Sequence, residues 1–249
     1  MNKTENTHLS TKIGAQLKTN KLFKLGEILF VFIIAFTLIK LMNPFVADKP
    51  ILKQAVIWIA NILMLLIVWL GLKLRGESWK DFGLNFNSVT WKAGAKAFLL
   101  SLLVFALATA GFIIGSIIMA NITGIPEGTN MSGYDYLKNN ILMLLLTLGG
   151  VYIVSSFGEE VIYRAFLINR ISQFGPDSKR GKVIAVILSS IIFGLVHFEW
   201  GPMGIVQTGF MGLALGICYI KLKKRLWILI LAHAYMDTIL MLQLYLSPK

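Results

Sequence analysis

The chain has 249 residues, 56% of them hydrophobic and only 14% charged, with a net charge of +12 and a mean hydropathy of +0.72. A soluble domain carries about 25% charged residues, so this composition excludes one and points to an all-α polytopic membrane protein. The positive charge falls in loops between apolar runs, which is the pattern of membrane orientation and argues against nucleic acid as a partner.

Residues 1–22 are polar and basic and read as a cytoplasmic tail. The apolar run that follows is long and lacks a small-residue cleavage site, so it is expected to be a retained span and not a signal peptide. Three transmembrane helices are expected within residues 23–136, at about 25–42, 54–72 and 95–120, each near the length that crosses a bilayer. Asn43-Pro44 and Pro50 punctuate the first connection, and all six prolines are expected outside the spans. The loop from Lys73 to Lys92 offers Trp79 and Phe82 as interfacial anchors. The loop from Asn121 to Tyr136 holds glycines and a proline but no lysine or arginine.

Residues 137–249 are expected to form the catalytic transmembrane core. Its first helix runs from about Asn139 to Ser172 and is broken by Phe174-Gly175-Pro176-Asp177. Further spans are expected at about 183–198 and 203–220, then a last apolar stretch at 226–246 that is one span or two short pieces. The total is seven to eight spans around a polar intramembrane cavity. With the N-terminus inside and seven spans, all but five of the 24 lysines and arginines (Lys40, Lys49, Lys53, Lys138 and Lys249) lie on the cytoplasmic side. Cys218 sits in an apolar run, where a lone cysteine behaves as a small hydrophobe.

Ionisable groups in a membrane are costly and usually mark a site. Here they are Glu159 and Glu160, followed by Tyr163 and Arg164; His197, closing Phe193-Gly194-Leu195-Val196-His197; and His233 with Asp237. Residues four apart share a helix face, so Glu160 aligns with Arg164 and His233 with Asp237. Adjacent Glu159 and Glu160 diverge by about 100° on an α-helix. Glu160 is therefore expected to pair with Arg164, leaving Glu159 as the free carboxylate, while Glu160 stays a candidate catalytic residue that could share the water or a metal. Measured from the connecting turns, Glu159 and His197 fall at equal height, about 22 Å from the 174–182 turn at 1.5 Å per residue. The plainer reading of each histidine is a helix–helix hydrogen bond; the coincidence of heights favours a site.

A carboxylate and imidazoles in a low-dielectric cavity can activate water for hydrolysis. Glu159, His197 and His233 could instead hold zinc with one position open for water, so metal-free and metal-assisted hydrolysis both stay open.

Glu159-Glu160-x-x-Tyr163-Arg164, Phe193-x-x-x-His197 and His233-x-x-x-Asp237, in this order over about residues 140–240, resemble the three motifs of the CAAX prenyl endopeptidase type II and bacteriocin-processing (CPBP, or Abi) intramembrane proteases. The resemblance implies a bundle of about eight helices with a cavity open to the cytosol and a membrane-associated peptide or protein substrate. It implies Glu159 as general base helped by His197, with His233 and residue 237 stabilising an oxyanion. The family often has Asn at that last position. Asp237, if ionised, only accepts hydrogen bonds, which leaves orientation of His233 or metal ligation as its alternatives. A bacterial chain of this kind is expected in the plasma membrane. Two other classes compete: an immunity or scaffold protein that binds a peptide without cleaving it, and a proton-coupled transporter, which the lack of broken helices disfavours.

Overall fold

The computed structural model describes residues 12–85, 90–124 and 131–247. The start of the tail, the middle of the Asn121–Tyr136 loop and Lys249 lie outside the described residues. Among the described residues all regular structure is helical, in two compact units, Met1–Asn85 and Phe86–Lys249.

The first unit holds α1 (12–19), α2 (Lys21–Val46) and α3 (Pro50–Arg75). The Asn20 side chain accepts from the Leu22 N–H at the start of α2. Pro50 opens α3 at a position where its missing N–H costs nothing. Gly76, at φ 63°, closes α3 by donating its N–H to the Leu72 and Lys73 carbonyls. Pro44 lies inside α2, contrary to the expectation for the prolines. Near the helix end a proline removes a single internal hydrogen bond, and the helix runs on to Val46.

α2 and α3 pack antiparallel. Near the start of one and the end of the other, Arg75 donates to both oxygens of Glu27, Nε lying 3.1 Å from Oε2, and both side chains are buried. Gly71 makes room for this pair, because a Cβ there would lie 2.5 Å from Glu27 Oε1.

The second unit holds α4 (Trp91–Thr123), α5 (Ile141–Ser172), α6 (Lys179–Leu195), α7 (Gly201–Lys221) and α8 (Leu226–Leu246). Six helices in the described residues are long and apolar enough to cross a membrane: α2, α3, α4, α5, the α7 helix with the turn before it, and α8. α6, with 17 residues, is shorter. α8 is unbroken, so the last apolar stretch is one piece. Outward leucines and isoleucines such as Leu99, Ile113, Leu145 and Ile187 are exposed, as lipid-facing side chains are.

Neighbouring helices alternate in direction. Gly111 and Gly115 of α4 meet the backbone of α7 at Phe210 and Gln207; Gly194 and Val186 of α6 meet Gly209 and Gly216 of α7. Small residues let backbones approach this closely, which is how helices hold together where lipid removes the hydrophobic drive between them. Tyr152 of α5 reaches Thr238 of α8 (2.8 Å), and Ser101 of α4 reaches Tyr235 of α8 (3.0 Å).

α5 is not uniform. Ile141–Val151 and Asn169–Ser172 are α-helical, but Tyr152–Ile168 is wound as a π-helix. Such winding is rare and concentrates at functional positions. Its wider turn makes adjacent side chains diverge by less than the 100° expected for Glu159 and Glu160.

Candidate functional site

The π-wound part of α5 carries Ser155, Ser156, Glu159, Glu160, Tyr163 and Arg164, and α8 brings His233 and Asp237 to it. Glu160 is wholly buried, at 0% side-chain exposure, with Arg164 at 1%. Arg164 Nη1 lies 3.0 Å from Glu160 Oε1, so the i,i+4 pair is formed. The guanidinium also lies over the Phe193 ring, 4.1 Å from its centroid, a placement that a buried cation favours.

Glu160 does more than pair with Arg164. Its Oε1 lies 2.9 Å from His233 Nδ1. A carboxylate only accepts, so Nδ1 carries the proton of that bond. Nε2 is thereby turned the other way, 3.9 Å from Glu159 Oε2, 3.8 Å from Asp237 Oδ1 and 3.4 Å from Ser155 Oγ. Asp237 is held in turn by the Ser156 hydroxyl, which donates to Oδ2 over 2.6 Å. Glu159 and Asp237, at 18% and 13% side-chain exposure, are the open members of the group.

His197 stands apart. α6 stops at Leu195, and His197 follows two residues later in the turn before Phe198–Trp200, whereas the expected span to about 198 would have kept it helical. Its Nδ1 bonds the Phe193 carbonyl (2.7 Å), and its ring packs between Phe193 and Trp200 at centroid distances of 4.8 and 5.0 Å. Phe193 thus sits between Arg164 and His197 and sets the spacing between them. His197 is near enough to His233 and Arg164 to feel their charge.

Among the described residues no three His, Cys, Asp or Glu side chains gather into a group that could hold a metal ion. Glu159 and His233 approach one another, but His197 does not join them. In this geometry the residues present do not fit the three-ligand zinc centre.

Three contributors have no signature in the motifs. Ser155 and Ser156 are short polar residues that read as unremarkable in an apolar helix, although the spacing of Ser155 to Glu159 puts them on adjacent turns. Tyr134 lies in the 3₁₀ turn Ser132–Leu137, between α4 and α5. Burial, together with the nearby Tyr136, Asp237, Glu159 and Glu199, pushes its phenol up to about 12.

Residues 139–239 match the family model described as type II CAAX prenyl endopeptidase Rce1-like. This part of the chain is an Rce1-like domain. The match begins just before α5 and ends just past Asp237, so the Rce1-like domain contains every side chain of the doublet, histidine and aspartate group. No curated protein and no solved structure matches the chain. The family places the domain among membrane-bound peptidases, in agreement with its apolar helices.

Proposed function

We propose that the protein is an intramembrane endopeptidase that hydrolyses a peptide bond in a membrane-associated peptide or protein, with Glu159 holding the attacking water. One observation carries the reading: His233 is fixed through Nδ1 to a buried carboxylate and turns Nε2 toward the partly exposed Glu159 and Asp237.

The roles follow from position. Glu159, the open member of the doublet, takes a proton from water as the oxygen attacks the carbonyl carbon. In its doubly protonated form His233 offers Nε2–H to the oxyanion that develops. Glu160 orients His233 and is itself anchored by Arg164. Collapse of the tetrahedral intermediate breaks the C–N bond, and the proton held on Glu159 passes to the leaving amine. Asp237 accepts from Ser156 and faces Nε2, which suits it to orient the imidazole and not to donate to an oxyanion. His197, in the turn after α6, stands beside Phe193 and Trp200 with its second ring nitrogen left free by the Phe193 carbonyl, and would need to swing toward Glu159 to help hold the same water.

The test is to purify the protein in detergent, incubate it with a membrane-anchored peptide library and read products by mass spectrometry, with and without a chelator. New termini that vanish in Glu159→Gln are expected. A Glu159→Ala protein that folds and keeps full biological activity favours a peptide-binding or immunity role instead. Loss of cleavage with chelator, restored by zinc, would assign the water to a metal.

A further inference from the structure

α6 buries one stripe of side chains, Ala185, Val186, Ser189, Ser190, Phe193 and Gly194, and the stripe is divided between two neighbours. Val186, Ser190 and Gly194 face α7. A Cβ at Gly216 would meet Val186 at 2.9 Å, and one at Gly209 would stand 3.7 Å from the Ser190 carbonyl oxygen. Ser189 and Phe193 face α5.

Two adjacent serines therefore use their hydroxyls differently. Ser190 donates back along its own helix, to the Val186 carbonyl at 2.7 Å, a habit of serines within helices. Ser189 donates across to α5, to the Tyr163 carbonyl at 2.6 Å, and is buried. A carbonyl has two lone pairs, so that of Tyr163 can take the hydroxyl beside a bond within α5.

Ser189 is four residues before Phe193, so the two share a face of α6. Phe193 meets the Tyr163 ring edge-on at 4.9 Å and lies 4.1 Å from the Arg164 guanidinium. α6 thus grips α5 at Tyr163–Arg164 by one bond to the backbone and two ring contacts. The grip falls inside the π-wound stretch Tyr152–Ile168. Such winding is rare and mostly confined to single turns, so a run of 17 residues has to be held by what packs on it. Glu159 and Glu160 lie four and three residues before Tyr163, about one turn away. Rotating α5 at Tyr163 would carry both carboxylates with it. Both are set closely on one imidazole, Glu160 Oε1 2.9 Å from His233 Nδ1 and Glu159 Oε2 3.9 Å from Nε2.

We propose that Ser189 is a positioning residue for the reaction. Its hydroxyl, bonded to the Tyr163 carbonyl, fixes the rotation of α5 and so the placing of Glu159 and Glu160 on His233. Ser189 acts through the backbone of α5 and not on the substrate. The inference rests on reading Glu159 and His233 as the reacting groups, and its test includes a readout that needs no cleavage.

The test compares Ser189→Ala, Ser189→Thr, Ser189→Val and Ser190→Ala in the full chain, purified in detergent. A misplacement of about 1 Å in a site can cost about 10²-fold, so Ser189→Ala is expected to lower kcat by about tenfold or more, with KM within about twofold of the parent. Ser189→Thr keeps the hydroxyl and is expected to keep most of the parent rate. Ser189→Val has the shape of threonine without the hydroxyl and is expected to fall with Ser189→Ala. Where Ser189→Ala does not fold, the threonine and valine variants carry the same comparison. Ser190→Ala removes a neighbouring buried hydroxyl that does not reach α5, and is expected to match the parent.

The second readout is the His233 ring. Isotope-labelled histidine gives nuclear magnetic resonance signals from only three rings, and His233→Gln assigns the one in question. The Nδ1 proton bonded to Glu160 is expected far downfield in the parent, Ser189→Thr and Ser190→Ala, and moved upfield or lost in Ser189→Ala and Ser189→Val. An unchanged kcat and an unchanged His233 signal in Ser189→Ala would overturn the proposal, as would an equal loss in Ser190→Ala. A fall in kcat with the His233 signal intact would overturn it too, since the hydroxyl would then act by another route. If the parent cleaves no peptide, the catalytic reading fails, and the His233 signal alone decides whether Ser189 places the carboxylates.

Discussion

His233 Nδ1 and Glu160 Oε1 are 2.9 Å apart, and the carboxylate that holds the imidazole is itself held by Arg164 at 3.0 Å. The chain Arg164–Glu160–His233 fixes which ring nitrogen faces the open side of the site. Replacing the acceptor with an amide removes the carboxylate that holds and orients the ring, and losing the carboxylate behind a working histidine lowers turnover by about 10³-fold or more in sites built this way. Glu160→Gln is therefore expected to lower kcat strongly with little change in KM. Circular dichroism and gel filtration in detergent check that the helices and the monodisperse particle survive. A Glu160→Gln enzyme within tenfold of the parent would mean that His233 needs no orienting partner.

Glu159 and Ser155 offer two sources for the nucleophile, and their variants separate them. Ser155 Oγ is 3.4 Å from His233 Nε2, a serine–imidazole–carboxylate order that could in principle support an acyl-enzyme. If water is the nucleophile, Glu159→Gln loses the factor of about 10²–10⁴ that a general base supplies. Ser155→Ala then loses about fivefold, the kinetic equivalent of one hydrogen bond of about 1 kcal/mol. Steady-state cleavage of a reporter peptide measures both. Abolished activity in Ser155→Ala, or labelling of Ser155 by a fluorophosphonate, would move the nucleophile to the serine.

How far the sequence carried these conclusions depended on whether an interaction was local. The helices were legible because each apolar run has to satisfy its backbone internally in lipid, and Glu160–Arg164 because residues four apart share a face. His233–Glu160 was not legible: it joins two helices 73 residues apart, and spacing along one helix says nothing of which face of another it meets. The π winding of Tyr152–Ile168 was hidden for a different reason, since hydropathy does not report the hydrogen-bond register. It is also why the angular argument that separated Glu159 from Glu160 was too strict. His197 was assigned to a helix that in fact ends at Leu195, because apolar residues continue through Val196 into the turn. Pro44 was assigned outside a helix because a proline usually ends one, while here the last turn of α2 absorbs it.

The close contact of α6 with α7 is sensitive to a single methyl group. A Cβ at Gly194 would lie 2.5 Å from the Ile205 carbonyl oxygen and 3.2 Å from Gly209 Cα, both backbone atoms that cannot turn aside. Gly194→Ala is expected to destabilise by about 1–3 kcal/mol, the usual penalty of overpacking. Phe193, the neighbour that stacks on Arg164, is displaced with it, so activity falls as well. Gly149 of α5 has open space around its missing Cβ, and Gly149→Ala is expected to be neutral or to stabilise by up to about 1 kcal/mol. Unfolding midpoints in mixed detergent compare the two. Equal stability of Gly194→Ala and the parent would show that α6 and α7 are looser than their backbone contact implies.

Glu27 and Arg75 form the corresponding fixed point of the first unit, with Arg75 also 3.9 Å from Glu77. Removing one partner of a buried ion pair strands the other charge and costs about 3–5 kcal/mol, whereas replacing both with apolar side chains of similar size is often neutral. Glu27→Leu and Arg75→Met are therefore each expected to destabilise strongly, and the double variant to recover most of the loss. A double-mutant cycle on unfolding free energies measures the coupling directly. If the double variant loses as much as the two single variants together, the pair is not coupled, and Gly71 must be explained by something other than room for Glu27. Peptidase activity in the double variant should match the parent, because the Rce1-like domain at residues 139–239 contains neither residue.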